Sequence, residues 1–255
     1  MKQKKNHRQK VKKGQKNRIQ ASLFGTHAVC EALLNPARKI KMLYVTEQAM
    51  DQIAEKGIKS SAPTTIIDKR ELDNALPRDT VHQGMALECE PLDEVNVQDL
   101  IAAASLKEKS VLVMLDQVTD PHNVGAIMRS ACAFGADGII MQKKHAPELS
   151  GTLAKIACGA IEHIAVAYET NLTRTLETLQ DAGFFAVGLD ERGECDINQF
   201  KTPEKCVLVL GAEGPGLRRL VKEQCDSLVR LPMSGNMPSI NVSNAAAITL
   251  YATSK

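Results

Sequence analysis

Apolar positions in this chain fall first into short mixed blocks and then, beyond residue 110, into unbroken runs separated by amphipathic segments. The spacing predicts helices over 24–34, 49–56 and 69–75 and strands over 40–45, 64–67 and 85–90, which together make a small α/β module. Residues 91–110 turn acidic and then helical over 97–107, as a connector would. From there the chain alternates. Strands are expected over 111–115, 138–141, 165–168, 185–189, 207–210 and 227–231, and helices over 124–134, 150–162, 172–182, 217–224 and 243–254. Strands that are apolar throughout are buried on both faces, so the second part reads as a mostly parallel sheet covered by helices on both sides. Ligands of such sheets bind beyond the carboxyl ends of the strands.

Charge changes this picture at one end. The net charge of +2 hides nine Lys or Arg and no acid in residues 1–18. Without them the remainder holds 23 basic against 30 acidic residues, about −7. A polar, basic stretch over 1–20 cannot bury apolar surface, and it suits an electrostatic arm that follows phosphates. No run of eighteen apolar residues occurs, and no apolar segment follows the basic start, so neither a membrane span nor a secretory signal is supported and the expected address is the cytoplasm. The seven cysteines never form C-x-x-C and mostly sit in apolar runs, which suits reduced core thiols and argues against a structural metal. With no Trp and 3% aromatic residues, any RNA contact should rest on charge and shape more than on stacking.

Three polar, glycine-bearing segments follow strands of the second part. In the first, Asp120 or Asn123 can cap the next helix, and Pro121, His122, Asn123, Gly125 and Arg129 gather at a strand-to-helix turn. In the second, Gly211, Gly214 and Gly216 surround Glu213; the spacing is not that of a dinucleotide fingerprint, and no P-loop lysine is present. The third, over 233–244, is an uncharged hydrogen-bonding loop in which Ser243 is a candidate helix cap and Ala245, Ala246 and Ala247 allow close packing. Each segment alone also has a purely structural reading as a capped or glycine-rich turn. For five histidines, His27, His82, His122, His145 and His163, no pattern in the sequence sets a carboxylate or nucleophile in the geometry that a general base needs, and Cys158 sits in an apolar helical period.

Taken together, the segments resemble the SpoU/TrmH family of RNA ribose 2′-O-methyltransferases. N-x-G-x-x-x-R appears as Asn123, Gly125 and Arg129, G-A-E-G-P-G as 211–216, and S-I-N-V-S as 239–243. The stretches 24–34 and 81–88 resemble the start and end of the ribosomal-protein-like RNA-binding domain of some members. With the basic tail at 1–20 and the linker at 92–109, the resemblance implies an RNA substrate-binding domain at 21–91 and a methyltransferase domain at 110–255 that ends in a deep trefoil knot. It further implies S-adenosylmethionine bound at Gly211, Leu231 and Ile240, no metal, a homodimer with its site near the interface, and guanosine in 23S ribosomal RNA as substrate. Arg129, Asn123, Glu213, Ser239 and Asn241 become the catalytic set. Arg129 is held by Asn123 and acts either as base or, since arginine stays protonated, as an electrostatic stabiliser of the alkoxide. Glu213 orders its loop or contacts Arg129, while Ser239 and Asn241 hold the cofactor loop and align Arg129. Pro215, Leu217 and Ile240 depart from the pattern of the nearest members. A transfer-RNA methyltransferase and a catalytically silent rRNA-binding assembly factor are the alternatives.

Overall fold

The computed structural model describes residues 19–78, 80–236 and 239–254, so residues 1–18, with most of the expected basic tail, lie outside the described residues. The smaller of two sheets has the order β1-β4-β2-β3 and contains β1 (Leu23–Phe24), β2 (Ile40–Val45), β3 (Thr64–Ile66) and β4 (Met85–Cys89). Helices α1 (Thr26–Leu34), α2 (Glu47–Glu55) and α3 (Lys69–Ala75) connect them. The helix expected over 24–34 loses its first residue to β1, where Leu23 and Phe24 pair with Leu87 and Ala86. Two residues are too few to show a strand period.

The second sheet runs β7-β6-β5-β10-β8-β11-β9, and every adjacent pair in it is parallel. Its elements are α4 (Val97–Ser105), β5 (Ser110–Asp116), α5 (Pro121–Ala133), β6 (Gly138–Gln142), α6 (Gly151–Ile156), β7 (Ala165–Glu169), α7 (Leu172–Asp181), β8 (Phe185–Leu189), β9 (Cys195–Asp196), β10 (Lys205–Gly211), α8 (Arg219–Gln224), β11 (Ser227–Arg230) and α9 (Val242–Thr253). Alternation along each strand sorts the core. Leu112 and Met114 of β5 face a cluster with Leu100, Leu176 and Val221 of α4, α7 and α8. Val113 and Leu115 face the other side, with Ile127, Leu153 and Leu250 of α5, α6 and α9. The helix within the connector is thus one of the layers covering the sheet.

That second side also carries the small module, since Leu23, Val29 and Cys30 belong to the same apolar cluster. Arg38 and Glu162 meet across the junction at 2.6 Å with side chains 5% and 0% exposed, and Asn35 donates to the same carboxylate at 2.8 Å. The junction also breaks the helix expected over 150–162. α6 stops at Ile156, Cys158 and Gly159 turn left-handed at φ 50 and 88, and a 3-10 turn follows at Ala160–Glu162. In this left-handed turn a Cβ on residue 159 would meet Glu31 of α1 at 2.3 Å, so the turn packs directly on the small module and only glycine fits. After β11 the chain returns to lay α9 on α5 and β10; this return is the segment in which the resemblance implies a knot.

Candidate active site

Because β5, β10 and β11 are parallel members of one sheet, their carboxyl ends share one edge, and the three polar segments leave from it. Asp120 caps α5 by accepting the His122 N–H at 3.0 Å, with Pro121 at the first helical position. Asn123, one turn inside, donates its amide to Glu213 Oε1 at 3.3 Å. Asn241 donates to Asn123 Oδ1 at 2.9 Å and also contacts Glu213 Oε1, and the Val242 N–H reaches the same oxygen at 3.4 Å. One carboxylate and two amides therefore join all three segments. The Glu213 charge lies at the first turn of α9, where the helix dipole favours it. Asn241 is also the cap of α9, its Oδ1 accepting the Ser243 N–H at 2.8 Å, which corrects the assignment of the cap to Ser243.

The second loop folds back on itself. Gly211 pairs with Asp116 in the ladder, and a Cβ on it would lie 2.2 Å from the Gly216 carbonyl carbon, so only glycine fits. Gly214 and Gly216 adopt φ 83 and 69, the left-handed region that glycine enters without strain. Beneath the loop, Asp116 is fully buried; its carboxylate accepts the Arg218 N–H at 2.8 Å and the Arg218 Nε at 2.6 Å. Neither residue stands out in the sequence, where Asp116 is merely the polar end of an apolar strand. Gly125 serves packing: a Cβ there would come within 3.0 Å of Ile156 and the Leu153 carbonyl on α6.

Not every expected contact forms. Arg129 is exposed and, among the described residues, makes no hydrogen bond or ion pair. Asn123 lies six positions before it, about 120° away around the helix and about 9 Å along its axis, and the two make no hydrogen bond. Glu213 and Asn241 are committed to each other and to Asn123, so the expected contacts of either with Arg129 are absent. Ser239 is exposed and makes no hydrogen bond among the described residues. Leu231 and Ile240 are half-buried at the two ends of the third loop.

Two of the histidines have carboxylate partners away from this site. His82 is buried, with Nε2 2.7 Å from Asp73, and His163 Nε2 lies 2.8 Å from Glu31. Burial pushes the Cys206 and Cys225 thiols up to about 12 and also raises Cys30, Cys89 and Cys132, so these thiols stay protonated and inert at neutral pH. Among the described residues no group of three or more His, Cys, Asp or Glu could hold a metal, and no helix is long and apolar enough to cross a membrane.

Residues 110–251 match the profile of the SpoU rRNA Methylase family, and residues 22–95 match RNA 2′-O ribose methyltransferase substrate binding. The chain is 38% identical to the putative TrmH family tRNA/rRNA methyltransferase YacO of Bacillus subtilis, over 90% of this chain and 93% of that protein. It is 37% identical to the 23S rRNA (guanosine-2′-O-)-methyltransferase RlmB of Photobacterium profundum, over 90% and 95% of the two chains. Among solved structures, the AdoMet-bound rRNA methyltransferase from Sinorhizobium meliloti has a TM-score of 0.75 at 25% identity, covering 91% of this chain and 86% of its own. One profile spans the parallel sheet together with the loops tied by Asn123, Glu213 and Asn241, and a chain so matched along its length is a member of the SpoU rRNA methylase family.

Proposed function

We propose that the protein transfers a methyl group from S-adenosylmethionine to the 2′-hydroxyl of a guanosine ribose in 23S ribosomal RNA. The observation that carries this reading is the convergence of Asn123, Glu213 and Asn241, which ties three loops into one polar site beyond the strand ends.

The residues present suit the cofactor. Leu231 and Ile240 offer half-buried apolar surface for an adenine ring, and Gly211 leaves backbone rather than side chain at the end of β10. When bound, the cofactor supplies an electrophilic methyl group on a sulfonium. The chain itself supplies position: methyl transfer needs two reactants held in line, and the network fixes the loops relative to one another. Arg129 stabilises the ribose oxygen and neighbouring phosphate electrostatically as charge develops. Ser239 completes the third loop around the cofactor.

Arg129 on α5 and Ile248 on α9, the latter 47% exposed, lie on elements packed against each other. A homodimer covering the α5–α9 face accounts for this exposed apolar surface and sets a guanidinium at the interface. The knotted return of the chain, the catalytic roles of the five residues, the division at 92–109 and a cytoplasmic location belong to the same reading. So does a phosphate-following role for the basic residues 2–18.

Incubating the protein with tritiated S-adenosylmethionine and purified 23S rRNA or tRNA tests the assignment. Label on a 23S ribose 2′-oxygen is expected. Label on tRNA alone would replace the substrate, and label on neither with no cofactor binding by calorimetry would leave a silent RNA-binding factor. Sedimentation of Ile248→Glu tests the dimer face, and a monomer is expected.

A further inference from the structure

The small sheet carries a cavity that the methyl-transfer site does not use. It opens among the starts of α1, α2 and α3, has a volume of about 840 Å³, and its walls include Thr26, Thr46, Gln52, Ile66, Lys69 and Gln83. Sites for small ligands typically measure about 300–1,000 Å³. Gln83 is held there against its backbone preference, at φ 52. The hold is specific. Gly84 N–H donates to Nδ1 of buried His82 at 3.1 Å, which leaves the His82 proton on Nε2, directed at Asp73 at 2.7 Å. The Gln83 carbonyl oxygen then accepts the Thr26 N–H at 3.0 Å, while its amide nitrogen makes no hydrogen bond among the described residues.

The chemistry of the walls selects the occupant. Glu47, Asp68 and Glu71 face a single ammonium, Lys69, so a phosphate would meet net negative charge. A neutral ring with N–H donors meets acceptors instead. Ile66, 51% exposed, supplies apolar surface for its face, and Gln52 and Gln83 supply amides for its edge. Next to Thr26 of the wall, a Cβ on Gly25 would lie 3.3 Å from Gln83 Oε1 and 3.8 Å from Lys155 Cγ, which brings a lysine of α6 near this wall; Lys155 makes no ion pair among the described residues. A nucleotide with its base inside has a cation for its phosphate at the mouth.

We propose that this cavity captures an unpaired base of the RNA, guanine above the others, because its N1–H and 2-amino groups together donate to one carboxylate. Bound here, the RNA is gripped by the small sheet and by α6 of the catalytic sheet at once. This rests on the reading of the protein as an RNA methyltransferase. The test uses the full chain and 23S rRNA transcribed with 6-thioguanosine, cross-linked by light and mapped by mass spectrometry. Cross-links to residues 44–56 or 64–72 are expected, with fewer from 4-thiouridine. Gln52→Ala and Ile66→Ser should each raise the KM for RNA about tenfold with kcat and cofactor binding retained. Gln83→Gly keeps the left-handed backbone and removes the amide, and serves should Ile66→Ser fail to fold. Guanine cross-links confined to other peptides, or an unchanged KM in the folded variants, overturn the proposal. If the native chain methylates no RNA, the catalytic reading fails separately, while the cross-link map still decides the cavity.

Discussion

At the junction of the two sheets, Arg38 and Glu162 meet at 2.6 Å almost out of water, whereas at the carboxyl edge of the larger sheet Asn123, Glu213 and Asn241 meet where solvent reaches them. Both networks join residues more than a hundred positions apart. The first centres on a charge pair: besides its two bonds to Glu162, Arg38 donates to the Glu90 carbonyl at 2.8 Å, and Asn35 donates to the same carboxylate. A buried pair like this is costly to break, because the partner left behind cannot find water. The second mixes amides with one carboxylate and leaves room on its outer side. Networks of that kind add little to stability and serve to place loops. The difference separates what holds the small module on the sheet from what shapes the site.

The sharpest test of that division is Arg38→Ala. It strands the Glu162 charge and should lower unfolding stability by about 3–5 kcal/mol in denaturant titration. A loss under about 1 kcal/mol would mean that the junction is held by its apolar contacts alone. Glu213→Gln keeps size and shape but removes the charge shared by Asn123 and Asn241. Methyl transfer should fall about 100-fold, equivalent to about 2.7 kcal/mol in the barrier, while stability changes by less than about 1 kcal/mol. Equal losses in both quantities would erase the contrast between the networks.

Smaller still is Arg129→Lys, expected to reduce transfer about tenfold with cofactor binding intact, since a point charge replaces a planar fork. A near-normal rate would show that the guanidinium shape is irrelevant. The least change is expected from the core thiols. Cys206 and Cys225 titrate near 9 when unfolded but at about 12 when folded, so both states are protonated below pH 9. Above it only the unfolded chain ionises, and stability declines from about pH 9 toward 12. Iodoacetamide at pH 8 should leave both unmodified in the native protein, as followed by intact mass.

The alternation of unbroken apolar strands with amphipathic helices was legible from residue 111 onward, because each strand buried on both faces must be apolar throughout and each helix must show one apolar stripe. Errors fell where a neighbour overrode the local pattern. The helix over 150–162 is interrupted by the left-handed turn at Cys158 and Gly159, which packs against Glu31 of α1, and the strand at Leu23 is defined by its pairing with Leu87. At the site, Asn123, Glu213 and Asn241 were recognisable as a set, yet their mutual bonds were not, and neither was the Asp116–Arg218 pair under the glycine loop. Asn123 was expected to hold Arg129. The two lie about 120° apart around α5 and make no hydrogen bond.

The sequence by itself determined the periodicities and the order of the three motifs, because these are written in residue spacing over one turn or one strand. Only the tertiary structure decided which amide meets which carboxylate, where α6 must stop, and that the small module shares a core with α5 and α6. Those outcomes depend on the parallel stacking of β5, β10 and β11 and on the docking of α1, which bring together groups a hundred or more residues apart.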